Sequence, residues 1–153
     1  MGLSKASRDF RICLFCVSVV GVQSSVGAGE RVEVARNVAL GKTATFDSVP
    51  NLPSCSDPGD ARQLTDGRHE EGCRPAKGAV GWRRSRVPIQ ITFDLEQPEP
   101  IVGLSFRTSG GESGRYWPNA IHVLVSEDGE TFYLAGDLLD LSHRRELPPV
   151  SGV

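Results

Sequence analysis

Apolar and polar side chains alternate with a period of two through much of residues 87–138. In VPIQITFDL (87–95), Ile89, Ile91, Phe93 and Leu95 fall on one face, and Gln90, Thr92 and Asp94 on the other. IVGLSFRT (101–108) repeats the pattern, with Val102, Leu104 and Phe106 opposed to Ser105 and Arg107. AIHVLV (120–125) then passes through SEDGE into TFYLAG (131–136). Such alternation belongs to strands with one buried face. Asp128-Gly129 between two alternating runs predicts a hairpin. The expected class is therefore all-β and antiparallel, a scaffold suited to presenting a binding surface.

The amino-terminal part is patterned differently. Lys5, Arg8 and Arg11 lead into ICLFCVSVVGV, an apolar run of 11 residues at 12–22. A helix needs about 20 such residues to span a bilayer, so the run has the length of a signal-peptide core instead. Val26 and Ala28 supply the small residues that cleavage before Gly29 requires. Residues 1–28 are thus expected to be a signal peptide, and the protein to be secreted, periplasmic or held at the cell surface. A buried strand or an uncleaved anchor is the alternative for the same run. Neither Cys13 nor Cys16 follows a lipobox-like triplet, so no lipid anchor is expected.

Without residues 1–28 the chain keeps 125 residues, which is one domain's worth. It loses three basic residues and one acidic residue, taking the formal charge from −2 to −4. That balance argues against nucleic acid as a partner, because phosphate binding needs a basic surface. No second apolar segment follows, so no transmembrane segment is expected after cleavage. Cys55 and Cys73 then remain as an even pair, which reads as a disulfide in an exported protein. A loop of this size would contribute about 3 kcal/mol in the chain-entropy model. Two buried thiols are the alternative, and a zinc site lacks the matching His or Cys spacing.

Residues 29–36 (GERVEVAR) form a polar lead-in, and residues 37–142 the expected domain. In NVALGKTATF (37–46), Val38 and Leu40 alternate with polar neighbours, Gly41-Lys42 makes a turn, and a second extended run follows. Residues 48–81 are rich in Pro, Gly, Asp and Ser; within them only DARQLTDG (60–67) carries a helical signal, one turn that stops at Gly67. A loop that long is expected to be functional, cross-linked or both. Residues 143–153 form a polar, Pro-containing tail.

The order of these elements resembles the discoidin domain, also called the coagulation factor 5/8 C-terminal domain, of the galactose-binding-like jelly rolls. The matching residues are NVALGKTAT at 37–45, LTDG at 64–67, GW at 81–82 followed by PIQITFDL, then IVGLSFRT and WPNAIHVLVSEDGETF. The resemblance covers residues 37–138 and is greatest to bacterial modules of large exported proteins. It implies an antiparallel β-sandwich of jelly-roll type. Such domains finish with a strand carrying an Arg-Tyr-x-Arg pattern, and none follows Leu141. The sandwich is therefore expected to lack its last strand, and the chain to be the front of a larger protein with attached downstream domains. Standing alone, its sheet would keep an unpaired edge that invites aggregation. Asp94-Leu95-Glu96 stands where the family has Asp-Leu-Gly.

The resemblance also implies site residues. Asp66, with Thr65 beside it, sits in a turn like the family's structural calcium turn, and Asp57 and Asp60 could add carboxylates. Calcium is accordingly a candidate structural ion, and the only cofactor implied; the other reading is a tight turn whose aspartate bonds backbone amides. Arg107 corresponds to a ligand contact and offers a planar fork to sugar hydroxyls or a carboxylate, unless it is an ordinary exposed arginine. Three further candidates come from residue chemistry. Tyr116, in the Gly-rich run 110–118, could stack on a pyranose, while Trp117 is expected to pack. His122 could bond a sugar hydroxyl or be a satisfied surface histidine. Arg84, with Arg83 and Arg86, could contact an anionic polysaccharide or be solvated. Trp82 is expected in the core.

No Gly-x-Ser-x-Gly, His-Glu-x-x-His or phosphate-cradling loop is present, so no enzyme is expected. The reading that results is an exported, non-catalytic module for recognition and adhesion, binding a carbohydrate or glycoconjugate. Its alternatives are a structural or protein-interaction β-sandwich without a sugar ligand, and a fragment of a hydrolase whose active site lies downstream.

Overall fold

The structure is a computed structural model that describes residues 11–27, 30–68, 77–83, 88–109 and 118–144. These are mostly strand, with two short helices among the described residues. In chain order they are β1 (Arg11–Gly27), β2 (Glu30–Asn37), β3 (Ala44–Phe46), α1 (Asp60–Gln63), β4 (Val80–Arg83), β5 (Ile91–Phe93), β6 (Ile101–Ser109), β7 (His122–Val125), β8 (Tyr133–Asp137) and α2 (Leu138–Arg144). The expected all-β, antiparallel character is present: every described strand pair is antiparallel.

The apolar amino-terminal run, expected to stand apart from the domain, forms the hub of the largest sheet. Val20 and Gly21 of β1 pair with β2 on one side and with β6 on the other. Cys13 and Leu14 pair likewise with β4 and β6. β6 therefore runs along one edge of β1, and β2 and β4 share the other. The polar lead-in supplies β2, which pairs with β1 from Gly27↔Glu30 to Val20↔Asn37. β3 and β5 form a second, two-stranded sheet, and β7 and β8 a third.

The main core joins Val19, Val38, Ala39, Ala44, Leu64, Val80 and Trp82. Ile89, Ile91, Phe93 and Leu95 pack against it, as do Leu104 and Phe106, so the alternation of 87–95 points as predicted. Trp82 is in the core as expected. It is 1% exposed, meets the Phe46 ring edge-on at 5.5 Å, and donates its indole N–H to the Ser48 carbonyl at 2.7 Å. Burying so large a ring is favourable because its single polar group keeps a partner.

The β7–β8 pair lacks the expected buried face, since Leu124, Val125, Tyr133 and Leu134 are exposed, and two positions elsewhere also depart from the pattern. Val102, expected to face inward with Leu104 and Phe106, is 63% exposed. Val20 pairs with Gly103 and Gly21 with Ile101, which leaves Val102 as an extra residue on β6. A bulge of this kind breaks the period of two. Leu40, expected to share a face with Val38, is 56% exposed because residues 38–41 form a turn. Gly41 there has φ 73°, a conformation that glycine adopts without steric cost.

The predicted hairpin at Asp128-Gly129 joins β7 to β8 through residues 126–132. Asp128 organises it. Its Oδ1 accepts the N–H groups of Glu130 at 2.8 Å and Thr131 at 2.7 Å, and its carboxylate accepts the Ser126 hydroxyl. Led by the Thr131 and then the Glu130 amide, these bonds hold its pKa down at about 2.

Glu96 occupies the left-handed region with φ 69°. Its N–H donates to Asp94 Oδ1 at 2.7 Å, and its carboxylate meets Lys42 Nζ at 2.6 Å. Because both Glu96→Gly and Glu96→Ala remove that ion pair, comparing them isolates the backbone. Urea unfolding of the two variants is expected to show the glycine form more stable by about 1 kcal/mol.

Candidate functional site

The long Pro/Gly/Ser-rich loop docks on β4, with the Gly81 carbonyl taking three of its hydrogen bonds. Gly81 accepts the N–H groups of Asn51 at 3.0 Å and Leu52 at 3.1 Å, and the Ser56 hydroxyl at 3.3 Å. Asn51 Oδ1 in turn accepts the Arg83 N–H at 2.7 Å. Leu52, Cys55 and Ala79 close a second small core there. A Cβ on Gly81 would lie 2.8 Å from both Cys55 Sγ and Leu52 Cδ2, so this close approach needs glycine.

Asp57-Pro58-Gly59-Asp60 then turns the chain into α1. Asp57 Oδ1 accepts the Gly59 N–H at 2.7 Å and the Gln63 Nε2–H at 2.8 Å. Asp60 Oδ1 reaches back to accept the Asp57 N–H at 3.0 Å. This reciprocal use of side-chain oxygens resembles a capping box. Asp60 is 7% exposed, and its pKa is raised. Burial is the largest cause, opposed by the Asp57 amide, reinforced by the Asp57 charge and opposed again by Lys77.

Together these segments enclose an open cleft of about 390 Å³. Phe46, Val49, Pro50 and Pro58 give it apolar surface, and Ser56, Asp57 and Asp60 give it a hydroxyl and two carboxyl groups. An apolar wall against oxygen acceptors can hold a ligand that has both C–H faces and hydroxyl or amine donors.

Of the predicted site residues that the structure describes, Thr65, Asp66, Arg107 and His122 do not line this cleft. Thr65 is fully buried; its hydroxyl donates to the Lys42 carbonyl, and the Arg62 carbonyl lies farther off at 3.3 Å. Asp66 is exposed and accepts the Arg68 N–H at 2.8 Å. These hydrogen bonds belong to a tight turn closed by Gly67 at φ 75°. No group of three His, Cys, Asp or Glu placed to hold a metal occurs among the described residues. Arg107 is exposed on β6. His122 is exposed with its Nδ1 3.9 Å from Asp137 Oδ2. Asp137 itself accepts the Leu139 and Ile121 amides, which lower its pKa, the former more strongly. Tyr116, Trp117, Arg84, Arg86 and Cys73 lie outside the described residues. Cys55, the expected partner of Cys73, is buried beside Gly81.

Sequence reasoning reached Asp57 and Asp60 only as added calcium ligands. Their Asp-Pro-Gly-Asp spacing carried a nearer signal, two short acceptors placed to bond each other's turn. Phe46, Val49 and Pro50 gave none, since their meeting with Asp60 depends on how the loop folds over β4. No protein-family model, curated protein or solved structure matches the chain.

A carboxyl group that binds its proton more tightly in the folded chain makes the fold less stable as pH rises between its unfolded and folded pKa values. Asp60→Asn keeps an oxygen for the Asp57 N–H and carries no charge. Urea midpoints should therefore favour Asp60→Asn over the parent at pH 7, with the gap closing as pH falls to ~4. A parent that is the more stable form at pH 7 would refute the burial argument.

Proposed function

We propose that this chain is an exported, non-catalytic recognition module, a discoidin-like jelly-roll sandwich whose cleft at 46–61 takes a carbohydrate. The observation that carries this reading is the pairing of Phe46, Val49 and Pro50 with Ser56, Asp57 and Asp60 across one open cleft. A sugar ring presents an apolar C–H face and donates hydroxyl protons to acceptors, which is the complementary chemistry. Asp57 and Asp60 lie on a single short turn. Glycosidic cleavage instead needs two carboxyl groups flanking the bond, which supports binding over hydrolysis. Export is read from the leader-like residues 1–28, and a product beginning at Gly29 would give up β1 and its pairing with β2, β4 and β6. The protein would act by holding attached downstream domains near a glycan surface through raised effective concentration.

One observation favours a second reading, a protein-interaction domain. Leu124, Phe132, Tyr133 and Leu134 on and beside the β7–β8 pair are 42–66% exposed. Apolar surface of that kind marks contact sites when it forms a contiguous patch.

A glycan array probed with the exported product, with and without calcium, tests the first reading. Val49 is 79% exposed, so Val49→Asp leaves the fold intact while charging the apolar wall. It is expected to weaken glycan binding at least tenfold. Absence of binding to any glycan under both conditions rejects the carbohydrate reading. Self-association abolished by Tyr133→Lys would favour the second. Mass spectrometry of the secreted protein checks the start at Gly29.

A further inference from the structure

The segment that reads as an export leader meets a steric demand that apolarity alone does not impose. Val19 of β1 is 4% exposed within the main core. Its N–H donates to Asn37 Oδ1 at 3.1 Å, and its carbonyl accepts the Val38 N–H at 2.8 Å. Two residues later, a Cβ on Gly21 would come within 2.5 Å of Val38 Cγ1 and 3.3 Å of the Pro100 carbonyl oxygen. A leader core would accept Val or Leu at position 21 as readily as Gly. The groove between β2 and β6 does not.

The rest of the segment is bound through its backbone. β1 pairs with β6 from Cys13↔Ser109 to Gly21↔Ile101, with β4 from Arg11↔Arg83 to Leu14↔Val80, and with β2 from Val20↔Asn37 to Gly27↔Glu30. Strand pairing, on both edges at residues 13–14 and 20–21 and on one edge elsewhere, holds any extended peptide, while a side-chain pocket and a glycine gap select among them.

We propose that the groove between β6 on one side and β2 with β4 on the other is a strand-acceptor site. In the whole chain its occupant is the chain's own residues 11–27, and it takes the same strand in trans once the link at residues 28–29 is cut. The accepted ligand is an extended peptide with a branched apolar residue at the Val19 position and glycine at the Gly21 position. Folding and leader removal then compete, because a chain whose residues 11–27 are already in the sheet no longer presents them to a processing enzyme. This competition rests on the export reading; the groove's selectivity does not.

The test starts from the full chain with a specific protease site replacing Ala28-Gly29. It is folded, nicked, and offered labelled peptides of residues 11–27. The parent peptide is expected to exchange into the groove saturably, and peptides carrying Gly21→Val or Val19→Asp to bind at least tenfold more weakly. Equal binding of all three overturns the proposal, as does loss of residues 11–27 after nicking with amide protection of the remainder unchanged. In the intact chain, Gly21→Ala is expected to lower the unfolding midpoint, and to lower it less when Val38→Ala makes room. An unchanged midpoint in Gly21→Ala also overturns the proposal. Failed secretion or failed glycan binding would leave these readouts untouched, so either reading can fall alone.

Discussion

β4 is the strand on which the structure depends, because it is buried on both faces and serves both cores. Val80 and Trp82 enter the main core, and the Trp82 ring settles against Phe46 with its N–H satisfied by Ser48. On the other face Gly81 has no side chain, which lets Leu52 and Cys55 close over it. Its carbonyl then carries three bonds from the loop at residues 51–56. With the Ser48–Trp82 and Asn51–Arg83 bonds, this contact ties residues 48–58 to the sheet and holds the segment that lines the cleft. The cost of ordering so long a loop is offset by burying Leu52, Cys55 and Ala79 and by satisfying its backbone locally.

A second theme is the use of Asp and Asn oxygens as punctuation. Asn37 accepts the amides of Val19 and Ala39; Asp47 accepts that of Gln90, Asp94 that of Glu96, and Asp137 those of Ile121 and Leu139. Asp57, Asp60 and Asp128 do the same at their own turns. Short strands leave many chain ends, and each end exposes backbone donors that a short carboxylate or amide can satisfy. Many of the acidic side chains among the described residues therefore serve the chain's turns.

The strands of residues 87–138 were legible because each alternation is local and the solvent side identifies itself by polarity. Ile89, Ile91, Phe93, Leu104 and Phe106 face the core for that reason. Trp82 was legible as a core residue through its size and its place ahead of a strand. Val102 was not, because one extra residue against β1 changes its face and the partner strand is about 80 residues away in sequence. The candidate cleft was legible only in its Asp-Pro-Gly-Asp turn. Its apolar wall comes from residues that read as turn and loop.

The sequence by itself determined the strand class, the hairpin, the helical turn at Asp60–Gln63 and the burial of Trp82. All of these depend on periods and turn chemistry within a few residues. Tertiary structure alone decided that residues 11–27 join the largest sheet, with residues 13–21 along β6 and the two ends along β4 and β2. It alone made Gly21 a matter of fit against Val38, and brought Phe46 and Val49 into one cleft with Asp60. The physical reason is range. Hydrophobic pattern and capping act between neighbours, whereas pairing partners and cavity walls are chosen by contacts whose two sides are far apart in the chain.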